Sequence, residues 1–268
     1  MLPPIYLKKL LFLFVALSFS KGITAQILNT DKTKSLDSAD NVQSKVSVSI
    51  ATDQQKKFLL DFFYTGDFTF LKKNNATTFY SKVDKVTNGG QSIQNLGTFQ
   101  LKNNKVLNEK LHLETFLQYQ WDASLGMEYR NLAGMNLIHY FKNTEWEDFF
   151  WGGGIFVENE NWNWSAVNDE SQINNKNTIV THPKLNLTAK YSVVNPSNHF
   201  EFIFRIFNQI GSYHDKMSNR TSVFNQVQLP ISKKLSTSFN LDFLYDTAPI
   251  VPIDHFHYNY YQTLSYSF

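Results

Sequence analysis

Apolar and polar positions alternate along most of this chain. In residues 57–71, Phe58, Leu60, Phe62, Tyr64, Phe68 and Phe70 share one parity, together with Gly66. Leu59, Asp61, Phe63, Thr65, Asp67 and Thr69 share the other. A period of two is the signature of a β-strand with one apolar and one polar face. At about 3.3 Å per residue this strand is near 50 Å long, far beyond the length usual in globular sheets. Residues 255–268 repeat the pattern. Phe256, Tyr258, Tyr260, Leu264, Tyr266 and Phe268 alternate with His255, His257, Asn259, Thr263, Ser265 and Ser267.

The same rhythm marks ten more segments: 45–51, 77–86, 91–101, 110–121, 128–141, 149–158, 184–194, 199–212, 221–231 and 235–246. Twelve strands are predicted, or ten if the two faintest, 45–51 and 221–231, are discounted. Asn88-Gly89-Gly90 and Asn103-Asn104 supply turn chemistry. Gly152-Gly153-Gly154 inside 149–158 predicts a bend or a close approach of backbones. Every second connection is expected to be short: 72–76, 103–109, 142–148, 195–198 and 232–234. The alternate set holds the long ones, 158–182, 211–220 and 247–254. Short turns at one end and long loops at the other are the habit of outer-membrane barrels. The predicted fold is therefore all-β: a transmembrane antiparallel up-and-down β-barrel over residues 45–268. A final strand with an apolar face makes sense if lipid solvates that face and the other edge closes the barrel.

Composition narrows the setting. Aromatic residues make up 16% of the chain, yet mean hydropathy is −0.33. Beyond Phe19 there is no apolar run long enough for a spanning helix. Lipid-facing and lumen-facing residues that cancel in a window average produce this combination. Residues 1–25 read as a secretory signal peptide: Lys8 and Lys9, an apolar core from Leu10 to Phe19, and small Ala25 before Gln26. Residues 26–44 read as a polar periplasmic segment. With Lys8, Lys9 and Lys21 gone, the 25 basic residues become 22 against 23 acidic ones, so no basic field argues for nucleic acid. There is no cysteine, so an exported chain relies on burial and backbone closure. The expected location is the outer membrane. The expected partners are its lipid and the barrel-insertion machinery, which would read Tyr266 and Phe268 as an assembly signal on a monomer.

Candidate chemistry is sparse. His255 and His257 share a strand face but lack a third metal ligand by spacing. His139 lies on an apolar parity near Asn136, with no serine on its strand and no Gly-x-Ser-x-Gly elsewhere. Trp162 and Trp164 suit either a carbohydrate or the barrel rim. No catalytic residue, metal site or cofactor is assigned. The polar parity carries both signs of charge: Asp61, Asp67, Glu114, Arg130, Lys190, Glu201, Arg205 and Asp242 are the lumen-lining candidates. Mixed signs, with bulky Phe63, Phe116, Ile203 and Phe207 on the same face, favour an interior crossed by ion pairs over a ring-charged pore. The expected function is non-enzymatic: a narrow channel or an envelope-stress component. The alternatives are a lipid- or lipopolysaccharide-modifying enzyme and a soluble periplasmic protein that binds a lipophilic ligand.

Residues 114–141 also resemble the salt-induced outer-membrane protein family. Gln118, Gln120, Gly126, Met127, Arg130, Gly134 and Leu137 match its pattern, with Asn136 where a second glycine is expected. Tyr245-Asp246, Pro249 and Asp254 before the last strand resemble its closing part. The family is a domain of unknown function, so the resemblance implies an outer-membrane barrel and supplies no active site.

Overall fold

A computed structural model describes residues 41–54, 58–164, 166–167, 177–197, 200–213, 216–232 and 235–266. The signal-peptide reading of residues 1–25 lies outside them. So do residues 26–40 and Phe268.

Twelve strands form one sheet. They are β1 (Asn41–Gln54), β2 (Phe58–Lys72), β3 (Asn75–Asn88), β4 (Gln91–Val106), β5 (Leu111–Asp122) and β6 (Met127–Asn143), followed by β7 (Glu147–Trp162), β8 (Thr178–Val194), β9 (Glu201–Tyr213), β10 (Lys216–Pro230), β11 (Leu235–Asp246) and β12 (Phe256–Tyr266). Each pairs antiparallel with the next in chain order, an up-and-down topology with no crossover. The described residues contain no helix.

The sheet is strongly curled. Arg130 of β6 donates to Gln209 of β9 at 3.0 Å. Met127 of β6 shares an apolar cluster with Leu244 of β11. In a flat sheet, strands five apart lie about 24 Å from each other. The curl brings opposite walls into contact and defines an inner and an outer face.

The two faces reverse the order of a water-soluble protein. Met135, Leu137, Ile155, Val157, Leu185 and Leu187 are exposed on the outside. Arg130, Glu158, Glu160, Gln120, Asn136 and Asn186 are fully buried on the inside. Alternation therefore sorts side chains as expected, but the charged parity is the buried one.

Most strands outrun their predicted limits. Asn103-Asn104 is not a turn: β4 continues to Val106, and Asn104 is buried opposite Glu114. An asparagine facing a polar interior is a strand residue there. Residues 211–220 are not a long loop, because β9 reaches Tyr213 and β10 starts at Lys216. The 158–182 stretch shrinks to a connection over 163–177. β1 begins at Asn41, inside the segment read as a polar leader. The glycine run behaves as predicted. A Cβ on Gly154 would lie 1.9 Å from the Met135 carbonyl oxygen, so β6 and β7 approach as closely as they do only with glycine there.

Candidate functional site

The inner face of β6–β11 holds a layered polar core. Its centre is Glu158. Arg130 binds Glu158 through its guanidinium and reaches Glu160 at 3.3 Å. Arg220 donates Nη1 to Glu158 at 3.1 Å and to Glu160 at 2.9 Å, and Nε to Asp246 at 2.7 Å. Lys184 Nζ lies 2.5 Å from Glu158, and His182 Nε2 lies 3.1 Å from it. Three cations thus meet three carboxylates across β6, β7, β8, β10 and β11. A buried charge costs several kcal/mol unless it is paired and hydrogen-bonded. Every charge in this cluster is paired, while Arg130 Nη1 and His182 Nδ1 are left without a hydrogen-bond partner.

Above it sits an apolar cap. Leu125, Met127, Trp162, Val167, Leu244 and Val251 pack together, with Trp164, Ile250 and Ile253 against them. The cap draws on three connections at the same end of the sheet, those over 123–126, 163–177 and 247–255. Trp162 joins the layers by donating Nε1 to Glu160 at 2.6 Å. Both tryptophans therefore pack on the rim. Gly126 serves the cap with φ +79° and no room for a Cβ beside the Asn163 backbone.

Below the charges, Phe116, Leu132, Phe156 and Phe207 form an apolar layer. An amide layer follows, with Asn186 donating to Asn136 at 3.0 Å and Asn136 donating to Glu114 at 2.8 Å. Ile138, Tyr140 and Phe150 close the far end. Arg205 lies over the Phe207 ring at 4.3 Å and the Phe150 ring at 5.6 Å, close enough for cation–π attraction. Lys190 reaches Asp148 at 2.9 Å.

The sequence-predicted residues distribute as follows. Arg130, Glu114, Lys190, Arg205 and Asp242 are buried on the inner face. Asp61, Asp67 and Glu201 are half-buried on that face. Tyr266 pairs with Leu235. Sequence reasoning missed the hub, Glu158 and Glu160, and with it Arg220, His182 and Asp246. Their signal was present: in Glu158-Asn-Glu-Asn-Trp162 the parity of Phe156 continues, but polar outward residues hide it.

The residues considered for catalysis or metal binding do not converge. His139 sits between Leu111 and Trp151, with its ring 4.8 Å from Phe141 and Nδ1 without a partner. His255 Nδ1 donates to the Asp246 carbonyl oxygen at 2.6 Å. Among the described residues no group of three or more His, Asp or Glu could hold a metal ion. Two shallow outward troughs are lined mainly by apolar side chains, one by Met135, Ile155, Pro183 and Leu185, the other by Phe99, Leu117 and Tyr119.

The fold and its interior define a class: a curled up-and-down β-sheet with an apolar exterior and an ion-paired core. Neither the protein-family models nor the curated proteins compared with the sequence match it.

Proposed function

We propose that the protein is an integral β-barrel of the outer membrane in which β12 closes against β1, and that it performs no enzymatic chemistry. The observation that carries this reading is the outward apolar band. It covers residues 133–141 on β6, 149–157 on β7 and 183–191 on β8, in register. Its length is about 26 Å along a strand and about 20 Å once the strand is tilted, near the lipid-facing height of such barrels. At one edge, Asn131, Asn159 and Thr181 align across three strands, and Asn159 donates to Thr181 at 2.7 Å. At the other edge Lys142 pairs with Glu147 at 2.7 Å.

Aromatic rings collect at both edges. Phe141 stacks on Phe149, which meets Tyr191. At the opposite end Trp121 contacts Phe99 and Tyr119, and Phe256 contacts Phe243 and Tyr258. Amphipathic rings favour the level of the lipid headgroups. Outer-membrane lipid and the barrel-insertion machinery are the partners this reading implies.

The test is fractionation of cells that express the full chain. The protein is expected in the outer-membrane fraction, running faster on a gel before boiling than after. Recovery in the soluble periplasmic fraction would favour the lipophilic-ligand alternative and sink the barrel.

A further inference from the structure

A seam interrupts the sheet between β8 and β9. The two strands pair from Val194 opposite Glu201 to Leu185 opposite Ile210, and the ladder stops there. Both strands go on: β8 reaches back to Thr178, still paired with β7, and β9 runs to Tyr213. Continued register would set Lys184 against Gly211 and Pro183 against Ser212, and that pairing does not form. Pro183 stands where the ladder stops and has no N–H to offer a neighbouring strand, while its carbonyl remains. On the inner side the Lys184 stem leans over Gly211, where a Cβ would come within 2.7 Å of it. The seam therefore opens outward.

An outward trough of about 430 Å³ ends at this seam. Its walls are two rows of side chains in register. Ala133, Val157 and Pro183 form one row, and Met135, Ile155, Leu185 and Ile210 form the other. The trough thus crosses four strands, about 14 Å at the usual strand spacing, and meets the seam between Pro183 and Ile210. Beyond the first row lies the polar edge of Asn131, Asn159 and Thr181. None of these carries a charge. The charged residues nearby, Glu158 and Lys184, bond to each other inside the sheet.

We infer that trough and seam together seat one zwitterionic phospholipid, with an acyl chain along the trough and a primary ammonium headgroup at the open edge of β8. This rests on the barrel reading above. The chain suits the apolar lining and continues the lipid contact of the surrounding band. Backbone groups without a partner are costly beside hydrocarbon, and the headgroup supplies one. An ammonium brings three donors and no acceptor, the complement of an edge where Pro183 keeps its carbonyl and lacks the N–H. A lipid dense in phosphates would meet no outward Lys or Arg on these segments. A peptide strand is the poorer occupant, because proline on an edge blunts strand pairing.

Native mass spectrometry of the full-length protein in detergent tests the inference, with dipalmitoyl phosphatidylethanolamine as the probe and dipalmitoyl phosphatidylglycerol as its comparison. One phosphatidylethanolamine per chain is expected to be retained, about tenfold more tightly than phosphatidylglycerol, the weight of a charge-assisted hydrogen bond. Ala133→Phe fills the trough and should weaken retention about tenfold, as for two methylenes left unburied. Leu137→Phe, on the same strand and band but outside the trough, should leave retention unchanged. Equal retention of the two lipids, equal effects of the two substitutions, or no retained lipid on protein shown by gel mobility to be folded would each overturn the seat while leaving the barrel standing. The headgroup comparison uses the unaltered chain, so it decides the matter even if Ala133→Phe fails to fold. Recovery of the chain as a soluble protein without detergent would overturn the barrel reading, and the seat with it.

Discussion

Arg130 makes the inside of this sheet intelligible at the scale of single residues. It has no exposed surface, and it binds Glu158, Glu160 and Gln209 at once. Removing it leaves two carboxylates short of a partner in a dry interior. Arg130→Leu is therefore expected to destabilise by about 3–5 kcal/mol, the usual cost of breaking a buried pair from one side. Urea unfolding in detergent micelles would measure this, and a change near zero would mean water already reaches the cluster. Gly154 is constrained by space. Its missing Cβ would collide with the Met135 carbonyl oxygen and the Asn136 side chain, so Gly154→Ala should cost about 1–3 kcal/mol as an overpacked site. The same unfolding assay reports it, and wild-type stability would show that β6 and β7 can separate there. Sequence alone singled out Arg130 and the glycine run, because parity and glycine chemistry are local. It did not single out Glu158, whose importance comes from β8 and β10, far along the chain.

Element by element, the alternation located every strand and placed the ends of most of them too early. Hydrophobic contrast exists only where the outward side chains are apolar. β7 shows this well: Phe149, Trp151, Ile155 and Val157 define the predicted segment, and Asn159 and Asn161 carry the strand onward without apolar contrast. The first six residues of β8 lack contrast in another way: Ile179, Thr181 and Pro183 point outward while apolar Val180 and polar His182 point inward. The apolar stretch is thus a measure of the band and not of the strand. Ile155 is central to that band and 58% exposed. Ile155→Arg should cost about 2–4 kcal/mol in lipid vesicles, with far less effect at the rim position Asn159. Equal penalties at the two depths would argue that no bilayer surrounds this face.

For the whole molecule, neighbouring strands follow chain order, so topology was readable from the succession of segments. Curvature was not, because it depends on inner side chains of unlike size meeting across the middle. The proposed closure of β12 on β1 belongs to the same scale. The chain has no cysteine, which makes a cross-linking scan clean. Asn259→Cys, combined in turn with single cysteines along Asn41–Gln54, should give a disulfide at one register, seen as faster migration without reductant. If no position cross-links, the sheet stays open at this seam.

If the sheet is the proposed membrane barrel, the connection over 247–255 has a consequence at the cell surface. It turns inward: Val251 has no exposed surface, Asp246 and His255 bond to each other at its base, and Thr247 donates to Asn219. Val251 ties the segment to the cap, while Thr247, Pro252, Asp254 and His255 stay exposed. In the barrel reading, those four residues are what the segment presents to a protease or an antibody from outside, on a base too tightly held to move with them.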